Sequence, residues 1–219
     1  SFAHELKTPL TSIIGYADML RTVECTKEET FEAVNYIFQQ GKRLESLSFK
    51  LLELIVTGKQ EYDFRPLSAE EFIQDAVRLT ETGRKEKEIC LTAHIEKGTV
   101  IGDRDLLVSM LTNFLDNARK AVSEYGQIQI RGRNQSGGYM LSISDNGCGM
   151  EEKELTRITE AFYMVDKSRA RKEGGAGLGM TLCSRILDLH GARWKISSIP
   201  GKGTSIALWF PGRKEGSGE

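Results

Sequence analysis

The apolar positions near the start of the chain repeat as a helical seam. Over residues 2–21 they fall at Leu6, Leu10, Ile13, Ala17 and Leu20, spaced 4, 3, 4 and 3. That is the stripe one helix offers another in a coiled coil or bundle. Residues 23–26 read as a turn, and Thr26 with Glu29 has the spacing of a capping box for a second helix. This helix is predicted over 27–57, where Leu44, Leu47, Leu51 and Leu54 resume the heptad. Two long helices joined by a short turn form an antiparallel hairpin. A lone hairpin gives each seam one partner. Two hairpins packed as a four-helix bundle bury far more apolar surface, so the pattern predicts a homodimer.

From 58 to 66 the helical period is lost, and Pro66 opposes its return. A linker is therefore expected over 59–67, between a hairpin domain at 1–58 and a second domain at 68–211. The polar, Gly-rich stretch 212–219 reads as a disordered tail. Within the second domain the periods mix. Helices are predicted over 69–87, 104–124 and 178–190, and a strand over 89–95. Residues 127–133 and 139–144 alternate around Ser136-Gly137-Gly138, and 193–198 and 204–210 flank Pro200-Gly201-Lys202-Gly203, two hairpin signals. The expected fold class is α+β: a helical hairpin that dimerises, followed by a two-layer α/β sandwich rather than a doubly wound parallel sheet.

Composition narrows the partners. Apolar residues make up 39% and charged residues 28% of the chain, and the formal charge is −1. A balance so near zero gives no general pull toward nucleic acid or an anionic membrane, and neither is expected as a partner of this chain. No apolar run approaches the about eighteen residues a membrane helix needs. Cys25, Cys90, Cys148 and Cys183 are scattered without a Cys-x-x-Cys pair, so reduced thiols in a cytoplasmic setting are expected. The start inside a helix suggests a piece of a longer protein, whose membrane anchoring is left open.

Four groups of residues carry candidate chemistry. His4 lies two positions before Leu6, a rotation of about 200° that turns it from the seam, and Thr8 and Thr11 line the same outer face. Pro9 deletes the helical bond to Glu5 and should kink the helix there. An exposed imidazole beside such an irregularity can be a nucleophile, or merely a solvated surface histidine. Asn113, Asn117 and Lys120, spaced 4 and 3, share one helix face. They suit an Mg²⁺–phosphate cluster, or the polar side of an ordinary amphipathic helix. Asp145-Asn146-Gly147-Cys148-Gly149 closes a strand. Its carboxylate can accept a bond from an amino group such as that of adenine, although the same residues also serve a plain turn. Gly174-Gly175-Ala176-Gly177-Leu178-Gly179 opens a helix as a phosphate cradle would, behind a basic loop with Lys167, Arg169, Arg171 and Lys172. A glycine-rich hinge would look alike. Neither a Walker A motif nor a Rossmann fingerprint is present.

Taken in order, these segments resemble the catalytic core of the sensor histidine kinases. Phe2-Ala3-His4-Glu5-Leu6-Lys7-Thr8-Pro9 is similar to the family's H-box, with Lys7 where arginine is usual. Asn113-Phe114-Leu115-Asp116-Asn117-Ala118 resembles its N-box, Asp145-x-Gly147-x-Gly149 its G1-box and Gly175-x-Gly177-x-Gly179 its G2-box. Ala161-Phe162-Tyr163 and Asp166-Lys167-Ser168-Arg169 resemble the F-box and lid, with Ala161 and Met164 departing from a frequent proline and arginine. Gly201-Lys202-Gly203-Thr204 matches the turn between the last strands.

The resemblance, over residues 2–211, implies a dimeric hairpin followed by an ATP-binding sandwich of the kind shared with type II topoisomerases. It implies ATP and Mg²⁺ as cofactors. His4 would accept the γ-phosphoryl group, Glu5 would assist proton removal, and Thr8 would position water for dephosphorylating a partner. Asn117 would hold Mg²⁺ with support from Asn113, and Asp145 would read adenine. Lys120, Gly147, Gly149, Lys167, Arg169, Gly175, Gly177, Leu178, Gly179 and Thr204 would complete the nucleotide site. The implied partners are a second copy and the receiver domain of a response regulator, whose aspartate takes the phosphoryl group.

Overall fold

The computed structural model describes residues 2–56, 62–160, 163–165 and 177–212; of residues 2–4, 45 and 48–56 it describes the backbone alone. The chain divides into two compact units. One joins residues 1–59 with 161–178, and the other joins 60–160 with 179–219.

The first unit is a helical hairpin of α1 (Phe2–Thr22) and α2 (Lys27–Val56). Helix α1 continues through Pro9, whose ring is buried. The expected capping box closes the turn. Thr26 N–H donates to Glu29 Oε2 at 2.9 Å, and Glu29 N–H donates to Thr26 Oγ1 at 3.2 Å. The Thr26 N–H, and the Thr26 hydroxyl donating to the same oxygen at 3.0 Å, hold the Glu29 carboxyl below its usual range. Leu47 is fully buried, and Leu6 and Leu178 pack against it. Much of the remaining apolar surface is uncovered: Phe31 is 74% exposed and Phe38 62%, with Leu10, Ile14 and Val34 also open.

The second unit is the expected sandwich. Its elements in order are β1 (Arg65–Ser68), α3 (Ala69–Leu79), α4 (Glu81–Lys85), β2 (Cys90–Ile95), β3 (Thr99–Gly102), α5 (Arg104–Ala121), β4 (Gln127–Gln135) and β5 (Gly138–Asp145). After them come α6 (Glu152–Leu155), α7 (Gly179–Leu189), β6 (Arg193–Ile199) and β7 (Gly203–Pro211). Five strands form a mixed sheet in the order β2-β4-β5-β7-β6. Only β2 and β4 run parallel. Alternate residues of the central strands, Ile128 and Ile130, Leu141 and Ile143, Leu208 and Phe210, turn one sheet face inward. Phe72, Leu107, Met110, Leu111, Phe114, Leu182 and Ile186 of α3, α5 and α7 complete that core. One layer of helices on one sheet face is the simplest burial for such alternating strands.

Several boundaries differ from expectation. Arg65–Ser68, whose first three residues lie in the expected 59–67 linker, is a strand paired antiparallel with β3. The helix expected over 69–87 breaks at Thr80. Buried there, Thr80 turns its hydroxyl back to the Ala76 carbonyl at 3.1 Å, and a second short helix follows. The helix expected over 104–124 stops at Ala121 because Val122 is extended, with ψ 153°. Gly212, placed in the expected tail, still donates to the Gly137 carbonyl at 2.7 Å. Residues 213–219 lie outside the described residues.

Candidate nucleotide site and phosphoacceptor helix

Asp145 ends β5, in register with Ile128 of β4 and Thr204 of β7. Its Oδ1 accepts the Gly147 N–H at 2.8 Å and the Thr204 N–H at 3.3 Å. Burial pushes the Asp145 carboxyl above its ordinary range, and the two backbone donors partly oppose that. Both donors converge on one oxygen. Among the described residues Oδ2 has no partner, which leaves an acceptor for an incoming amino group.

The loop after Asp145 is stitched down on both sides. Cys148 N–H donates to the Ala121 carbonyl at the end of α5, and Gly201 N–H donates to the Cys148 carbonyl at 2.7 Å. Met150 N–H donates to Ser198 Oγ, which also bonds the Thr204 hydroxyl. Glycine is required where these strands of chain touch. A Cβ on Gly147 would lie 2.7 Å from the Ala121 carbonyl. At Gly149, with φ +65°, a Cβ would lie 2.1 Å from the Ile199 oxygen. The glycines thus seat the loop against α5 and the β6–β7 turn.

Helix α5 presents the amides. Asp103 caps it, accepting the Asp105 and Leu106 N–H groups at 3.1 Å each. With Leu107, Leu111, Phe114, Leu115 and Ala118 buried, Asn113, Asn117 and Lys120 remain half-buried on the opposite flank. Asn113 Nδ2 donates to the Ser109 carbonyl at 2.9 Å. Its Oδ1 would lie 2.9 Å from a Cβ added to Gly179, so the start of α7 approaches α5 at Asn113 only because residue 179 is glycine. Among the described residues no hydrogen bond holds the Asn117 amide. Gly177 takes φ +70°, and Leu178 is packed with Leu47 and Leu6. Lys167, Arg169 and Gly175, with 161, 162 and the rest of 166–176, lie outside the described residues.

These groups suit a nucleotide and its cation. Among the described residues no three His, Cys, Asp or Glu side chains gather as a metal site. The side-chain oxygens of Asn113 and Asn117 are of the ligand type that Mg²⁺ accepts beside phosphates and water. A separate cavity of about 600 Å³ is lined by Phe64, Pro66, Ile101, His190 and Gly212 among others, and none of the site residues borders it.

On α1, the His4 backbone is helical and its side chain lies outside the described residues. Thr8 is exposed. Glu5 is half-buried and faces Arg43 of α2, with Nη2 to Oε2 at 3.7 Å. Arg43 Nε is buried without a hydrogen-bond partner. The sequence reading missed Arg43. Its signal was the hairpin itself, since Leu47, which packs with Leu6, lies one turn beyond Arg43.

Comparison with known proteins agrees with this geometry. Residues 102–214 match the family described as histidine kinase-, DNA gyrase B-, and HSP90-like ATPase, and residues 1–54 match the His Kinase A (phospho-acceptor) domain. The chain belongs to the histidine kinases of this ATPase family. It is 36% identical to the phosphate regulon sensor protein PhoR of Pseudomonas aeruginosa over 95% of this chain and 48% of that one. It is 31% identical to the sensor histidine kinase YkoH of Bacillus subtilis, over 95% and 46%. The chain thus spans about half the length of these curated relatives. The solved histidine kinase ThkA, in complex with response regulator protein TrrA, shares the fold with TM-score 0.77 and 22% identity, over 95% of this chain and 59% of that one.

Proposed function

We propose that this chain is the catalytic core of a two-component sensor kinase, a protein-histidine kinase that phosphorylates His4 from ATP and passes the group to a receiver aspartate. The observation that carries the reading is Asp145. It is a half-buried carboxylate fixed through one oxygen, with the other left as an acceptor, at the end of a glycine-seated loop.

In the transfer, an imidazole nitrogen of His4 bonds the γ-phosphorus while the bond to the β,γ-bridging oxygen breaks, and ADP leaves. The imidazole proton goes to the Glu5 carboxylate, which Arg43 holds in place. Mg²⁺, when bound, supplies charge neutralisation on the phosphates. Asn117 would hold it, backed by Asn113, while Lys120 would lie against the phosphates with Lys167 and Arg169. Gly175, Gly177, Leu178 and Gly179 would form the phosphate-side loop, and Thr204 would fix Asp145 through its N–H. In a second reaction the phosphorus passes from His4 to a carboxylate oxygen of the receiver. Thr8, exposed one turn beyond His4, would orient a water that hydrolyses that acyl phosphate. The complex named for ThkA supports a receiver domain as partner.

The functional chain is a homodimer in this reading. Phe31, Val34 and Phe38 repeat at 3 and 4 on α2, and Leu10 and Ile14 are spaced by 4 on α1. This open stripe is what a second hairpin would cover in a four-helix bundle. No described helix is long and apolar enough to cross a membrane.

Incubation with γ-labelled ATP tests the assignment. Acid-labile label should appear on wild type and vanish with His4→Gln, while nucleotide binding persists. Equal label on both proteins, or ATP hydrolysis with no phosphoprotein, would overturn the role of His4. Mixed dimers, one subunit carrying His4→Gln and the other Asn117→Ala, then report whether transfer runs within or between subunits.

A further inference from the structure

The side of the sheet turned away from the helices is mainly basic, with Glu96 just past the end of β2 accepting the Asn134 N–H next to Arg133. Its outward positions are fixed by the strand register. One row runs His94, Arg131, Ser142, Ala207 and Lys195 across β2, β4, β5, β7 and β6. The next runs Arg133, Met140, Trp209 and Arg193. All five basic side chains are exposed, while Met140, Ala207 and Trp209 are half-buried. No acidic residue occupies an outward position between the ends of these rows. Among the described residues, Arg131, Arg133, Arg193 and Lys195 form no ion pair. Arg193 instead lies over the Trp209 ring, 4.2 Å from its centroid.

The two rows make a channel of charge. Arg131 and Arg133 stand on β4, Lys195 and Arg193 on β6, with two strands between them. Three strand spacings put the cations about 14 Å apart. The strip between them is mostly apolar, with Ala207, Met140 and the Trp209 ring beside the Ser142 hydroxyl. A helix with its side chains is about 10–12 Å across, which fits between the two lines.

We infer that this sheet face is a docking surface for an acidic amphipathic helix of a partner protein. Its apolar stripe would lie on Met140 and Ala207, beside the Trp209 ring that Arg193 covers. Glu or Asp on its two flanks would pair with Arg131 and Arg133 on one side and with Arg193 and Lys195 on the other. Charge complementarity and the spacing of the rows select this occupant. The competing occupants are a bilayer and duplex nucleic acid, neither of which offers a helix-wide apolar stripe with Glu or Asp on both flanks. The Trp209 ring is also covered by Arg193 instead of projecting as an insertion anchor. The inference is independent of the phosphoryl-transfer reading, since no residue on this face belongs to the proposed site.

A fluorescent peptide of about twenty residues tests it, with Leu at heptad positions a and d and Glu at e and g, titrated by anisotropy against the full chain. Binding should saturate. It should weaken about ten-fold or more in Arg131→Glu/Arg133→Glu and again in Arg193→Glu/Lys195→Glu. Binding of a fluorescent ATP analogue by both double variants should equal wild type, which shows that they are folded. A permuted peptide of the same composition that binds equally well would overturn the inference, because charge alone would then suffice. Peptide binding indifferent to both double variants would also overturn it, as would phosphatidylserine vesicles or duplex DNA binding this face more tightly than the peptide.

Discussion

The hairpin and the sandwich solve the burial problem differently. In the sandwich, alternating strands and three helices close a core within one chain, and Leu107, Met110, Leu111 and Leu208 are all fully buried. In the hairpin, Leu47 is fully buried while Phe31 and Phe38, on the same helix, are largely open. Two helices have too little mutual surface to cover every apolar side chain they carry. One region closes its core within the chain. The other leaves apolar side chains open, which the proposed dimer would cover.

The sharpest way to break this contrast is to spoil the open stripe. Phe31→Glu with Phe38→Glu removes four apolar side chains from a dimer, at about 1.5–3 kcal/mol each, so association should weaken more than about a thousand-fold. Sedimentation should show a monomer whose sandwich melts as in wild type. If the double variant stays dimeric, the stripe is not the interface. The converse is Leu111→Ala, expected to lower the stability of the sandwich by about 3 kcal/mol in chemical denaturation and to leave the dimer intact.

Asp145→Asn should separate binding from stability. Its folded value lies above the ordinary 3.8, so it stabilises the fold only at low pH, and that contribution is lost as pH rises through the folded value. At neutral pH the buried charge is a burden. The variant should bind ATP about ten- to a hundred-fold more weakly by calorimetry, with an unfolding temperature no lower than wild type. A clear drop in that temperature would contradict the burial argument.

Smaller effects are expected from single contacts. Arg43→Ala should slow His4 labelling about ten-fold by loosening Glu5, with Arg43→Lys recovering part of the rate. An unchanged rate would make Arg43 a packing residue only. In the sandwich, the neutral His190 ring donates Nδ1–H to the Ile186 carbonyl at 2.7 Å and accepts the Asp103 N–H at Nε2. Burial lowers it below 6.5. The unfolded chain therefore takes the proton first, and stability should fall as pH drops from about 6.5 until the folded value is passed. His190→Gln should flatten that part of the curve in urea melts.

Much of this organisation was legible where the chain repeats a period. The capping box at Thr26 and Glu29, the shared flank of Asn113 and Asn117, and the two hairpin turns all follow from local spacing. The strand pair β1 and β3 was not legible, because four-residue segments carry too little alternation and their partners lie more than thirty residues apart. The break at Thr80 was hidden for another reason. Threonine is permissible inside a helix, and the hydroxyls of Ser12 and Thr30 bond back to the i−4 carbonyl without ending one, so the residue type gives no sign of a break. Within the site, the residue types stood out in sequence, but the contact between Gly179 and Asn113 did not, since it depends on how closely α7 approaches α5.

The tethering of Asp145 has one further consequence. Its carboxylate is tied by N–H groups from two different stretches, one just after β5 and one at the start of β7, and its strand is bonded to neighbours on both sides. A molecule grasped there clings only while those three strands stay zipped. Candidate inhibitors could therefore be ranked by heating alone: each should delay the melting of this half of the protein in proportion to its grip, with no phosphorylated product to be measured.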